Sequence, residues 1–156
     1  MRKRLQEVTD SGLIDEIIEQ CDCCRIALID GDRPYIVPLN FGYVRKGRQR
    51  LFYFHGAAQG RKIDLIRRNR YAGFELDCRH QLHVRDEACQ FSFGYRSVVG
   101  TGIISLVEDD AEKTAALRAI MAHYSERTDW RFAAGALAAV AIIKLEVETL
   151  SGKQHD

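Results

Sequence analysis

The sequence is poor in the features that mark extended, membrane-bound or disulfide-built proteins. Two prolines in 156 residues, and no low-complexity tract, leave little room for linkers or disorder. No apolar run approaches the roughly 18 residues of a membrane span. The first residues, Met1 to Glu7, are charged and lack the apolar segment of a secretion signal. Lys and Arg number 23 against 22 Asp and Glu, a formal net charge of +1. Without a basic excess there is no global electrostatic case for binding nucleic acid or an anionic membrane. The 46% hydrophobic and 29% charged residues are enough to fill one core without staples. The expectation is a single cytoplasmic domain over residues 1–156. No internal repeat is present.

Cysteine is the exception in number but not in pattern. There are five, an odd count, and three are bunched as Cys21-Asp22-Cys23-Cys24. Secreted disulfide frameworks usually spread an even count through a shorter chain. Cys78-x-His80-x-x-His83, with Cys89, has part of a metal-ligand spacing. No second pair falls at zinc-finger distance, and Cys23, Cys24 and Cys78 adjoin strand-like apolar runs, so buried packing is expected and no metal site.

The first periodic stretch, Leu13, Ile14, Ile17 and Ile18, predicts a helix capped by Asp10 or Ser11. Arg25–Ile29 reads as a strand, Asp30–Pro34 as a turn, and Tyr35–Val44 as a second strand. Pro38 marks that strand as an edge or an irregularity, because proline cannot donate to a ladder. Leu51–His55 is a third strand, Arg61–Asn69 a helix, and Tyr71–Asp77 a fourth strand. Arg79–Gln90 reads as a polar loop. Tyr95 to about Val107 is a fifth strand interrupted by Gly100 and Gly102. Asp109 and Glu112 form a capping-box pattern ahead of Leu117, Ile120, Met121 and Tyr124, which share one helical face as core residues. Phe132–Val140 could add a short helix. Alternating Ile143, Leu145 and Val147 predict the last strand. Strands joined by short polar turns must be antiparallel. The expected architecture is therefore mainly β with α: a six-stranded antiparallel barrel with flanking helices.

The sharpest chemical feature is His55-Gly-Ala-Ala-Gln-Gly60-Arg61-Lys62, which joins a strand to a helix that opens on two cations. Cations are unfavourable at a helix N-terminus, which already carries partial positive charge and unpaired N–H groups. A bound phosphate would reverse the sign, with backbone donors, Arg61 and Lys62 converging on it. Without such a ligand, the same residues make a glycine turn whose cations face water. A second feature is Tyr95-Arg96-Ser97-Val98, polar residues inside a strand-like run, which fits either a strand presented to a flat ligand or a solvated sheet face. Arg67-Arg68-Asn69-Arg70 suits a helix C-terminus better than a nucleic-acid patch.

Tyr35-x-Val37-Pro38-Leu39-Asn40-Phe41, Phe52-x-Phe54-His55-Gly56-Ala57-x-x-Gly60-Arg61-Lys62 and Tyr95-Arg96-Ser97-Val98 occur in the order and spacing of a known family. Further likeness runs through His123-Tyr124-Ser125, Asp129-Trp130 and Ser151-Gly152-Lys153. The chain resembles the pyridoxamine 5′-phosphate oxidase-like FMN-binding split barrels, and within them the nitroimidazole-resistance proteins. The resemblance implies a split β-barrel that forms a homodimer and holds FMN in clefts between subunits. It implies that Arg61 and Lys62 bind the flavin phosphate, with His55 and Gly56 beside them. Gly56 is a departure, because the family often has serine there. By the same likeness Val37, Pro38, Leu39 and Asn40 lie along the isoalloxazine edge, Tyr95, Arg96, Ser97 and Val98 form the neighbouring strand, and Trp130 and Lys153 come from the partner chain.

The implied activity is flavin-dependent reduction of a small-molecule acceptor such as a nitroaromatic, with a nicotinamide nucleotide as a possible electron donor. FMN needs a dianion site, a flat slot and donors near its ring nitrogens, and it carries the redox step itself. His55 is the one residue suited to proton handling, although a structural hydrogen-bonding role fits its type equally. The alternatives are a non-catalytic flavin carrier or sensor, or a split barrel that takes haem or a deazaflavin.

Overall fold

The computed structural model describes residues 6–155; the charged start, residues 1–5, lies outside them. One sheet organises the chain. Its strands are β1 (Glu7–Val8), β2 (Cys24–Asp30), β3 (Arg33–Leu39), β4 (Gly42–Lys46), β5 (Gln49–Ala57), β6 (Tyr71–His83), β7 (Ser92–Val107) and β8 (Val140–His155). The helices are α1 (Ser11–Glu19), α2 (Arg61–Arg68), α3 (Asp110–Tyr124) and α4 (Ala134–Ala139). The strand order is β3-β2-β6-β7-β8-β5-β4, with β1 added to β8 and all pairs antiparallel.

Helices α1 and α3 start where short acidic side chains cap them. Asp10 accepts the Leu13 N–H at 2.7 Å, and Asp109 accepts that of Glu112 at 2.7 Å, each removing one orphan donor. Ile14, Ile17 and Ile18 of α1, and Ile63, Leu65 and Ile66 of α2, are buried. They join Phe41, Phe52, Phe54 and Phe74 in the main core, where the Phe52 and Phe74 ring centres are 5.1 Å apart. A second cluster places Leu51 and Tyr53 of β5 under Ala116 and Ile120 of α3. β5 is thus covered on both faces from Leu51 to Phe54.

The expected strand over Tyr35–Val44 divides in two. β3 and β4 are consecutive in the chain yet form opposite edges of the sheet, so the barrel is split between them. Pro34 and Pro38 both lie on the edge strand β3, where a missing N–H does least harm. The link at Phe41 is held by the end of α3. The Tyr124 hydroxyl accepts the Phe41 N–H at 3.0 Å and donates to the Asp22 carbonyl at 2.9 Å. His123 donates from Nε2 to the Cys21 carbonyl at 2.8 Å. Tyr124 is therefore a clamp, 40% exposed, rather than the core residue its helical spacing suggests. β1 and the divided strand bring the count to eight strands where six were expected.

The expected polar loop at Arg79–Gln90 is ribbon as far as His83 and loop from there on. β6 continues to His83 and pairs with β7 as far as Ser92, after a register shift between Cys78 and Gln81. Arg79 sits in that shift with φ 55°. The ribbon exposes Leu82, Val84, Phe91 and Phe93, which alternate with Gln81, His83, Ser92 and Gly94 as strand residues do, but turn their apolar side outward. Cys21, Cys24 and Cys78 are buried, and His80 Nε2 meets Asp77 Oδ2 at 2.7 Å. Among the described residues no helix is long and apolar enough to cross a membrane.

Candidate functional site

The strand–helix junction carries Arg61 and Lys62 at the start of α2, just after the end of β5. At His55 the chain leaves the cover of both cores and becomes exposed, with His55 opposite Ile142 and Gly56 opposite Ala141 of β8. Gly60 then takes φ 120°, a conformation that favours glycine, and begins α2 with no side-chain cap. Its carbonyl accepts the N–H groups of Ile63 at 2.9 Å and Asp64 at 3.1 Å. The preceding amides of the first turn and the positive end of the helix dipole receive no capping side chain.

Lys62 is half-buried over Gly56. A Cβ at position 56 would lie 2.7 Å from the Lys62 ammonium and 3.3 Å from its Cε, so the absence of a side chain there forms the cradle that holds the lysine. Burial lowers the pKa of that ammonium below the usual 10.5, with no carboxylate offsetting it among the described residues. Arg61 behaves differently. Its Nε donates to Asp30 Oδ2 at 2.8 Å, Nη2 donates to the same oxygen, and the guanidinium lies 4.7 Å from the Tyr35 ring centre. Asp30 ends β2, thirty-one residues away, in a segment that reads only as a turn. Its role at the site had no signal in the sequence.

The junction fits a phosphate monoester. A partly desolvated ammonium has no counter-anion among the described residues, a glycine cradle positions it, and an uncapped helix start adds backbone donors. β3 fits the edge of a flat ring in a weaker sense. As a sheet edge it carries peptide groups on one side without ladder partners, and its Val37 and Leu39 pack toward the core while Pro38 is exposed. Asn40 reaches the Asp22 carbonyl with Nδ2 at 3.5 Å.

The remaining candidates form a second group. Ser97 is registered between Asp77 and Lys153, and Arg96 between Cys78 and Gln154. Tyr95 meets His155 edge-on with ring centres 6.4 Å apart. Arg96 Nε is buried without a hydrogen-bond partner among the described residues. Val98 is fully buried between Leu76 and Gly152, so its side chain belongs to the core and only its main chain is available to a ligand. Trp130, in the segment between α3 and α4, lies 4.4 Å from the Arg127 guanidinium, and its Nε1 is likewise buried without a partner. β2 and β6 separate β3 from β7, a distance of about 14 Å at the usual strand spacing. One chain therefore does not bring the two strand groups together.

Residues 10–154 match the pyridoxamine 5′-phosphate oxidase family. Among solved structures, a Bacteroides thetaiotaomicron protein proposed to confer 5-nitroimidazole antibiotic resistance superposes with a TM-score of 0.82 at 30% identity, covering 95% of this chain and 86% of its own. A FAD- and haem-binding protein from Mycobacterium smegmatis gives 0.81 at 20% identity, with 97% and 74% covered. A flavocytochrome from Azotobacter vinelandii gives 0.80 at 22% identity, with 99% and 72% covered. These last two share the fold. No curated protein matches the chain in sequence. Family match, split sheet and near-complete overlap agree, and the chain belongs to the pyridoxamine 5′-phosphate oxidase family.

Proposed function

We propose that this protein binds FMN with its phosphate at the β5–α2 junction and acts as a flavin-dependent reductase of small acceptors, nitroaromatics being the class to test first. The observation that carries the reading is Lys62, a partly desolvated ammonium held over Gly56 with no carboxylate paired to it among the described residues. A partly desolvated ammonium gains from an anionic partner, and a phosphate dianion is the partner that an uncapped helix start favours. Bound FMN supplies the redox chemistry. The chain's residues anchor its tail, offer the β3 edge to its ring, and place His55 at the exposed end of β5, within the same neighbourhood.

The reading includes a homodimer. The sheet face turned away from the core exposes Ile29, Ile36 (62%), Tyr71 and Val99 around the small residues Ala27 and Gly73. Exposed apolar side chains beside the Arg25–Glu75 ion pair of the same face suit an association surface. A second copy on that face would also supply the β7–β8 group that one chain holds away from its own β3.

Titration with FMN and riboflavin, followed by flavin fluorescence and absorption, tests the binding. FMN is expected to bind much more tightly than riboflavin, and Lys62→Met is expected to remove most of that difference. Equal affinities would place the phosphate elsewhere. Turnover of a nicotinamide donor with a nitroaromatic separates a reductase from a carrier, and a Soret band instead of flavin bands would identify haem as the ligand. Sedimentation of the wild type against Ile36→Asp tests the dimer.

A further inference from the structure

The two cations that open α2 are not equivalent. Among the described residues Lys62 has no acidic group offsetting its charge, whereas Arg61 is already engaged by a carboxylate of its own chain. Asp30 takes the Nε–Nη2 edge of the guanidinium, the same edge that pairs side-on with phosphate. Arg61 remains 64% exposed and Asp30 25% exposed, so the pair lies at the surface, where ion pairs are weak and exchange readily. Tyr35 beneath the guanidinium gives it a flat surface over which to turn.

We propose that Asp30 is a resident counter-anion of the phosphate site, holding Arg61 until a phosphate displaces it and thereby setting the affinity for the phosphorylated cofactor. The inference rests on the assignment of the β5–α2 junction to the flavin phosphate. Two anions ask for one guanidinium edge. A dianion wins through its greater charge and its further bonds to the helix start and Lys62, but binding must first break the Asp30 pair. Asp30 therefore weakens FMN binding and leaves riboflavin binding untouched. Other acids nearby are differently engaged: Asp32 is 92% exposed and faces Arg33, and Asp64 faces Arg67 at 3.9 Å.

The test is fluorescence titration of FMN and riboflavin against Asp30→Asn, Asp30→Ser and Asp32→Asn, with Asp30→Asn repeated in an Arg61→Met background. Both Asp30 variants are expected to bind FMN about threefold to tenfold more tightly with riboflavin unchanged, and the gain is expected to vanish in Arg61→Met. Weaker FMN binding by the Asp30 variants would make Asp30 a positioning residue and overturn the proposal. An equal gain from Asp32→Asn, or a gain that survives Arg61→Met, would reduce the effect to net charge and overturn it as well. If Lys62→Met and Arg61→Met both leave FMN affinity intact, the phosphate assignment itself fails, a result separable from any behaviour of Asp30.

Discussion

Asp15 on α1 and Arg50 on β5 are joined at 2.8 Å across thirty-five residues of chain, and Arg45 and the Tyr43 hydroxyl, at 2.6 Å, donate to the same carboxylate. Burial alone would raise the Asp15 pKa, but the hydrogen bonds from Tyr43, Arg50 and Arg45 together hold it below the ordinary 3.8. The folded chain thus gives up this proton more easily than the unfolded one. The stabilisation is complete above the unfolded value and disappears as pH falls through the lower folded value. Asp15→Asn is expected to cost about 2 kcal/mol at neutral pH. In thermal melts the gap between wild type and variant should narrow as pH drops below 3.8; a gap independent of pH would remove the charge from the explanation.

Tyr124→Phe deletes the hydroxyl that joins Phe41 to Asp22 across the split. It leaves one peptide N–H without its acceptor, so a loss of about 1–3 kcal/mol is expected. Hydrogen exchange should rise first at Phe41, before any change in the β6–β7–β8 centre. Uniform acceleration would mean that the split opens only with global unfolding.

Gly42 meets α3 with no room for a side chain. A Cβ there would lie 2.5 Å from the Ile120 amide nitrogen and 2.6 Å from the Ala119 carbonyl carbon, both rigid backbone atoms. Gly42→Ala must push α3 off β4 and is expected to cost about 1–3 kcal/mol, read as a lowered denaturation midpoint.

Gly56→Ala presents the opposite case, since its new methyl would meet only the flexible tip of Lys62. Stability should stay within about 0.5 kcal/mol of the parent. FMN affinity should fall several-fold as the ammonium leaves its cradle, with riboflavin unaffected. A large stability loss with intact FMN binding would show that the lysine is structural.

Local signals were the legible ones. The caps Asp10 and Asp109, the buried face of α1 and the edge character of Pro38 all follow from short-range rules, and the structure has them. The motifs at His55–Lys62 and Tyr35–Phe41 led to the family because they preserve order and spacing. The features that were not legible depend on distant partners. The break at Phe41 is held by Tyr124, eighty-three residues on, and no pattern within Tyr35–Val44 announces it. Arg61 finds Asp30 only because β2 and α2 are neighbours in space. The ribbon after Arg79 does alternate, with Leu82 and Val84 against Gln81 and His83, but each run is only about four residues long, at the lower limit by which strands are recognised.

That ribbon also lies outside the packed interior. None of the residues in either core cluster falls within 79–93, so substitutions, insertions or trimming there leave the barrel's packing intact. Packing therefore constrains this stretch less than the rest of the sheet, and homologous chains are expected to vary more here in length and composition.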